Sequence, residues 1–101
     1  PVVAGSIADI TFLANRKTSA EEVNKILTEA SKSPKWKGIL AVSNDPLVSS
    51  DIIRQPFAAI VDLEMTRVVD GDLVKVLSWY DNEWGYVATL VKHVELAAKT
   101  L

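Results

Sequence analysis

The sequence predicts an α+β fold, a two-layer sandwich in which two helices cover one face of a mostly antiparallel sheet of about five strands. Two segments carry apolar residues at helical spacing, and several others have the pattern of strands. An Asp-Gly pair between two apolar runs is typical of a hairpin. The order is strand, helix, strand, further strands with the hairpin, and a final helix. A chain of 101 residues is predicted to form a single domain, 1–101.

The first helix has the clearest start and end. Val2–Leu13, which carries a single charged residue, is predicted as the strand before it. Thr18–Glu21 matches a capping box, in which a hydroxyl group and a carboxylate three residues later satisfy N–H groups at a helix start. An apolar stripe at helical spacing follows: Val23, Ile26, Leu27 and Ala30. Because Pro34 disfavours helical geometry in the residue before it, the helix is predicted to end at Ser33.

The middle of the chain predicts strands separated by polar connections. Lys37–Val42 is predicted as a short strand, and Leu47–Pro56 as a connecting loop. From Phe57 to Thr66 the side chains alternate as they do in a strand with two different faces. One face of that strand is predicted to carry Phe57, Ala59, Val61, Leu63 and Met65.

The last part of the chain predicts a hairpin and a second long helix. Asp70-Gly71 is the predicted hairpin turn, and the returning strand is predicted over Leu73–Tyr80. The predicted helix carries a second apolar stripe at helical spacing: Val87, Leu90, Val91, Val94, Ala98 and Leu101.

The composition excludes several classes of function. A hydrophobic content of 49% and a charged content of 24% are typical of a globular domain. Without cysteine, the chain has no disulfide, no thiolate nucleophile and no cysteine-bound zinc. The net charge of −2 does not favour nucleic acid as a partner. No apolar run approaches the roughly 20 residues that cross a bilayer, so we do not expect membrane insertion.

The most informative segment is Ser78–Tyr86, called the corner below, between the last predicted strand and the last predicted helix. It contains two Trp, two Tyr, two acidic residues, an Asn and a Gly. The segment resembles the strand-to-helix corner near the C-terminus of the glyceraldehyde-3-phosphate dehydrogenase family. Further blocks resemble the same family in the same order: Thr18–Ile26, Lys37–Leu40, Pro46–Asp51, Val68–Gly71 and Val74–Tyr86.

The resemblance implies specific roles for two residues of the corner. Asn82 matches the family residue that contacts the nicotinamide amide, and Tyr86 matches the aromatic residue packed near that ring. In the family, the dinucleotide-binding domain, the catalytic Cys and its His partner all precede this segment, and a phosphate-binding Arg falls just before Pro1. We therefore expect no catalytic residue, no bound cofactor and no enzymatic activity of the chain alone. The resemblance also implies a cytoplasmic location.

The sequence departs from the family at several places where polar residues are usual. Val87-Ala88-Thr89 replaces a polar run, Ala58-Ala59 replaces a pair of serines, and Ile52–Phe57 replaces a polar loop. One interpretation is that polar groups facing the rest of the enzyme were replaced so that the segment folds alone. On this hypothesis the sequence is artificial, and its cellular location is undefined.

Other residues with reactive side chains are better explained structurally. His93 is predicted to be a surface residue in the last helix, without a partner for general-base chemistry. Asp81 and Glu83 could suggest a carboxylate pair for glycoside hydrolysis. At a strand-to-helix junction, however, an Asp or Asn is more often an N-cap, and a Glu in the first turn suits the helix dipole. Ser49-Ser50-Asp51 is predicted to be a polar loop. Four acids could suggest a cation site, but their spacing is that of a solvated strand face and a turn: Asp62, Glu64, Asp70 and Asp72.

Three hypotheses for the function follow. The first is a stand-alone, redesigned scaffold without catalytic function. The alternative is a natural fragment of a glyceraldehyde-3-phosphate dehydrogenase, active only with its missing NAD-binding and catalytic parts. The third is a small binding or self-associating module, in which Ile52, Ile53 and Phe57 would form a sticky patch if they are exposed together.

Overall fold

A five-stranded sheet forms the centre of the fold in a computed structural model that describes residues 3–101. The elements in chain order are β1 (Ser6–Leu13), α1 (Ala20–Lys32), β2 (Leu40–Ser43), α2 (Ser49–Ile52), β3 (Ala59–Asp62), a 3₁₀ turn (Leu63–Met65), β4 (Arg67–Val69), β5 (Leu73–Tyr80) and α3 (Trp84–Ala98). The predicted first strand began at Val2, which lies outside the described residues. The structure confirms the predicted α+β fold, with one short helix more than expected.

The sheet is mostly antiparallel, as the sequence predicted, but one of its strand pairings is parallel. The strand order is β1-β5-β3-β2, and β4 also pairs with β5. β5 is antiparallel to β1, β3 and β4, but β2 and β3 are parallel. Parallel neighbours need a crossover of a dozen or more residues. The segment between β2 and β3, which was predicted as a loop, is this crossover and contains α2.

The core lies between one face of the sheet and α1. Val61 and Leu63 pack with the completely buried Val74 and with Val76. Val23 and Leu27 of α1 are partly buried against this cluster, as their helical spacing predicted. α1 therefore closes the layer that the sequence assigned to it.

α1 begins one residue later than the predicted capping box. Ser19 is the N-cap, and its hydroxyl oxygen accepts a hydrogen bond from the N–H of Glu22 at 3.2 Å. Thr18 instead donates its hydroxyl hydrogen to the carboxylate of Glu22 at 2.7 Å, while its own backbone N–H donates to the carbonyl of Gly71 at 2.7 Å. Because Thr18 is bonded to the hairpin, Ser19 and not Thr18 is the N-cap of α1.

The predicted hairpin is present, but the predicted strand from Phe57 to Thr66 is not continuous. Asp70 and Gly71 have φ angles of 53° and 77°, as a type I′ turn requires. β3 ends at Asp62, and the 3₁₀ turn then leaves Met65 45% exposed. The interruption separates β3 from β4, so that the two strands pair with different parts of β5.

α3 differs most from the prediction, because its apolar stripe stays on the surface. Val87, Leu90, Val91 and Val94 are between 45% and 58% exposed. Gly85 is its only buried residue, and the ammonium group of Lys92 donates to the carbonyl of Gly38. Among residues 3–101, no helix combines the length and apolar composition needed to cross a membrane.

Candidate functional site

The corner is built around the buried carboxylate of Asp81, which is only 4% exposed. Its Oδ1 atom accepts hydrogen bonds from the backbone N–H groups of Glu83 and Trp84, both at 2.8 Å. Its Oδ2 atom accepts a third from the N–H of Arg54, also at 2.8 Å. The hydrogen bond from Arg54, and then that from Glu83, lower the pKa of Asp81, whereas burial opposes the shift. Asp81 therefore supports the start of α3 with its side chain, although the N-cap position itself is Glu83, two residues later.

Arg54 belongs to the segment after α2 and has an unusual backbone conformation. Its φ angle of 67° lies in the left-handed region, which side chains other than Gly, Asn and Asp seldom adopt. The residue is 27 positions away from Asp81 in the sequence. The hydrogen bond between them joins the α2–β3 connection directly to the start of α3.

Gly85 brings the same two segments together by close packing. A Cβ atom at this position would lie 2.6 Å from the carbonyl oxygen of Phe57 and 3.3 Å from that of Gln55. Real Cβ atoms do not approach backbone oxygens so closely, so glycine is required for the contact. Gly85 thus lets α3 touch the neighbouring segment.

The two residues that match the family's cofactor contacts lie on either side of this packed turn. Asn82 is exposed, and its Oδ1 atom accepts a hydrogen bond from the N–H of Gly5 at 3.3 Å. Tyr86 lies in the first turn of α3 with 63% of its surface exposed. Both side chains therefore face the surface from a backbone that Asp81 holds.

Trp79, at the strand side of the corner, has a structural role. Trp79 pairs with Ile60 across the sheet, and its Nε1–H donates to the Oδ2 atom of Asp62 at 3.3 Å. Asp62 is 5% exposed, so this carboxylate does not lie on the solvated strand face that the sequence predicted for it. Ser78, which precedes Trp79 in β5, points to the opposite face of the sheet from Trp79 and is also buried.

The remaining candidate residues do not assemble into a second site. His93 and Glu83 are exposed, and Glu83 makes no side-chain cap. Asp51 lies in α2, where its carboxylate accepts from the N–H of Val48 at 2.9 Å, so this segment is not the predicted loop. Within the described part of the chain, no group of three or more His, Cys, Asp or Glu side chains could hold a metal ion.

The patch that the sequence suggested for self-association does not form. Ile52 is only 1% exposed, whereas Ile53 is 40% exposed and Phe57 is partly buried. The three side chains are therefore not exposed together. Ile52 contributes to the core of the chain and is not available to a partner.

An apolar groove of about 800 Å³ lies between α1 and the sheet. It shares only Ser78 with the corner. A smaller depression of about 340 Å³ lies at the start of α3, lined by Glu83, Trp84, Val87 and Ala88. Asn82 and Tyr86 line neither of these two concavities, and both residues are exposed.

Comparisons with known proteins match the whole of this architecture to one family. The sequence profile described as the glyceraldehyde 3-phosphate dehydrogenase C-terminal domain matches residues 1–82. The glyceraldehyde-3-phosphate dehydrogenase of Thermotoga maritima is 47% identical over 94% of the chain, which covers 28% of that relative. The protein of the same name from Mycobacterium tuberculosis is 43% identical over 100% of the chain and 29% of the relative.

The comparisons favour the natural-fragment hypothesis over the redesigned scaffold, and none of them supports an artificial origin. The relative from Zymomonas mobilis, also a glyceraldehyde-3-phosphate dehydrogenase, is 41% identical over 95% of the chain. The chain spans less than a third of the length of these relatives. Matches of this extent cover the corner as well as α1, the hairpin and the strands between them. The chain therefore belongs to the glyceraldehyde-3-phosphate dehydrogenase family, and it corresponds to the family's C-terminal domain.

Proposed function

We propose that this chain is the C-terminal part of the catalytic domain of a glyceraldehyde-3-phosphate dehydrogenase, in which the corner forms one wall of the nicotinamide site. In this role Asn82 contacts the carboxamide of the cofactor and Tyr86 packs near its ring. The bound cofactor supplies the hydride acceptor of the reaction. A cytoplasmic location is part of the same proposal.

The observation that carries the proposal is the exposure of Asn82 and Tyr86 on a backbone that is otherwise tightly held. Asn82 uses its Oδ1 atom to accept from Gly5, which leaves its Nδ2 donor for the carbonyl oxygen of a ligand amide. Tyr86 offers an aromatic surface that is 63% exposed. An amide donor and an exposed ring fit the edge and the face of a nicotinamide, so the residues present suit the group.

The chain alone lacks the groups that the chemistry requires. Acyl transfer through a thioester needs a thiolate, and the 101 residues contain no cysteine. Hydride transfer also needs a dinucleotide held in a fixed position, whereas Asn82 and Tyr86 lie on an open surface. The chain is therefore a contributor to an active site and has no turnover of its own.

Two of the three departures from the family, at Val87-Ala88-Thr89 and at Ala58-Ala59, agree with this role and not with a redesign for independent folding, whereas Ile52 of the third is buried. Val87 stands where the family usually has a polar residue, and it is 55% exposed. Ala58 is exposed as well, and Ala59 is only partly buried. Because these aliphatic side chains do not complete a core, they do not make the chain more self-sufficient.

A hybrid enzyme tests the proposal. The hybrid joins the part of the Thermotoga maritima relative that precedes the matched region to residues 1–101 of this chain. We expect the hybrid to oxidise glyceraldehyde 3-phosphate with formation of NADH, while each part alone gives no turnover. We also expect Asn82→Ala to raise the KM for NAD by up to about tenfold, which is the loss of one hydrogen bond of about 1.4 kcal/mol.

Two results would overturn the proposal. One is a folded, active hybrid in which Asn82→Ala and Tyr86→Ala leave the KM for NAD unchanged. The other is turnover by the 101-residue chain alone. A thermal melt of the chain alone provides the matched control, because a ligand that binds the folded state must raise its midpoint. We expect no saturable shift with NAD.

A further inference from the structure

We propose that Asp81 is a positioning residue of the nicotinamide site, acting through Asn82 and without contact to the cofactor. The inference rests on the proposed function of Asn82. Asp81 is buried and immediately precedes Asn82, so its side chain decides where the turn that carries the asparagine lies. Three short hydrogen bonds and one glycine contact support this assignment.

The carboxylate of Asp81 fixes the turn on both sides. Towards α3, its Oδ1 atom holds the N–H groups of Glu83 and Trp84, the two residues directly after Asn82. Towards the rest of the domain, its Oδ2 atom holds the N–H of Arg54. The backbone of Asn82 therefore lies in a turn that Oδ1 of Asp81 closes and that Oδ2 attaches to a distant segment.

The contact at Gly85 is an independent observation that the turn has one defined position. The carbonyl oxygen of Phe57 leaves no room for a Cβ atom at this residue. The α2–β3 connection thus touches the start of α3 at two points, through Arg54 and through Phe57. If the carboxylate is lost, the glycine contact alone does not fix the orientation of the turn, and Asn82 can rotate away from its bond to Gly5.

The side chain of Asp81 acts as an acceptor only, which makes the substitutions informative. Asparagine has the same shape but a single acceptor oxygen, so Asp81→Asn keeps part of the hydrogen-bond set. Alanine keeps none of it. A positioning role therefore predicts a graded loss of cofactor affinity. The Kd should be highest in Asp81→Ala, lower in Asp81→Asn and lowest in the unchanged protein.

The test measures the Kd for NAD in the hybrid enzyme described above. We expect Asp81→Ala to raise the Kd by about tenfold, which is the full contribution of a correctly placed Asn82 at about 1.4 kcal/mol, and Asp81→Asn to raise it less. In the double variant with Asn82→Ala, we expect no rise beyond that of Asn82→Ala alone, because both substitutions remove the same contact. Ser19→Ala is the matched control, since it removes the cap of α1 far from the corner and should leave the Kd unchanged.

A second measurement uses the 101-residue chain itself and needs no cofactor. We expect the backbone amides of Arg54, Glu83 and Trp84 to exchange faster with solvent in Asp81→Ala, and the side-chain amide signals of Asn82 to move in an NMR spectrum. Ser19→Ala should leave these signals unchanged. Unchanged signals in Asp81→Ala would overturn the inference even if the hybrid did not fold.

The outcomes separate this inference from the proposal beneath it. If Asn82→Ala does not alter the Kd for NAD, the proposed function fails. If Asn82→Ala raises the Kd but Asp81→Ala does not, only the positioning role fails. Additive effects in the double variant would also contradict it, because Asp81 would then act independently of Asn82.

Discussion

The two long helices of this domain are held in different ways. α1 is attached along its length, because Val23 and Leu27 pack into the core and Asn24 donates to the carbonyl of Leu63 at 3.0 Å. α3 is attached mainly at its first turn, through Asp81 and Gly85, and once more through Lys92. Both helices have an apolar stripe in the sequence. In α1, Val23 and Leu27 pack against the core although Ile26 is 52% exposed, whereas the stripe of α3 stays on the surface.

The starts of the two helices differ in the same way. Ser19 caps α1 with its own hydroxyl group, and Thr18 is bonded to both Glu22 and the hairpin. Glu83, at the N-cap position of α3, makes no side-chain cap. Asp81, two residues earlier, accepts the hydrogen bonds at this helix start instead. α1 is therefore supported by local sequence, whereas the start of α3 depends on a group that also holds Arg54.

The comparison shows which helix is covered by the rest of the chain and which is not. α1 and the sheet bury a core that belongs to the chain itself. α3 leaves a row of half-exposed valine and leucine side chains, an exposure that is uncommon for a whole monomeric protein. This asymmetry agrees with a chain that covers 28% to 30% of its relatives' length.

The largest expected difference between the helices is in the cost of removing a leucine. Leu27→Ala should destabilise the chain by about 2 kcal/mol, at the low end for a core leucine because Leu27 is only partly buried. Leu90→Ala should change the stability by less than about 0.5 kcal/mol, as for a surface substitution. Urea denaturation of both variants measures the difference. Equal losses would show that α3 is packed as firmly as α1, and the comparison would fail.

The sequence predicted the elements of the fold well where the signal is local. The stripe of α1, the turn at Asp70-Gly71 and the strand β5 each depend on neighbouring residues, and the structure contains all three. The pairing of β2 with β3 in parallel could not be predicted in this way. It depends on the path of the crossover through α2, which no short pattern records.

The corner shows the same limit at the level of a site. Asp81 could be predicted as a cap because an acidic residue before a helix is a local signal. Its bond to Arg54 could not be predicted, because every residue except proline offers a backbone N–H. The exposure of Val87 was missed for a related reason: helical spacing tells which residues share a face, but it does not tell what covers that face.

A smaller difference is expected from the residues at the two N-cap positions. Ser19→Ala removes a hydroxyl acceptor from α1 and should cost about 1 kcal/mol. Glu83→Ala removes no cap hydrogen bond and should be close to neutral. Thermal unfolding of the two variants at one pH tests this pair. A loss in Glu83→Ala as large as that in Ser19→Ala would mean that α3 has a local cap after all.

The smallest expected difference between the helices is a loss of stability that appears only in acid, where the carboxylates that support the two helices become protonated. Thr18 and Arg16 lower the pKa of Glu22 by hydrogen bonding, and backbone N–H groups lower that of Asp81. A carboxylate whose pKa is lowered in the folded state stabilises the fold at any pH above its pKa in the unfolded chain, which is about 3.9 for Asp and 4.3 for Glu. This stabilisation is lost as the pH falls through the pKa of the folded state.

The two carboxylates should differ in the size of this acid-dependent loss. Glu22 lies in a partly exposed ion pair with Arg16, which salt and solvent screen, so Glu22→Gln should alter the acid limb only slightly. Asp81 is buried and holds two segments, so Asp81→Asn should flatten that limb clearly. Urea midpoints measured from neutral pH down to about pH 3 test both variants. A larger flattening in Glu22→Gln than in Asp81→Asn would contradict the view that the carboxylate supporting α3 is the more important of the two.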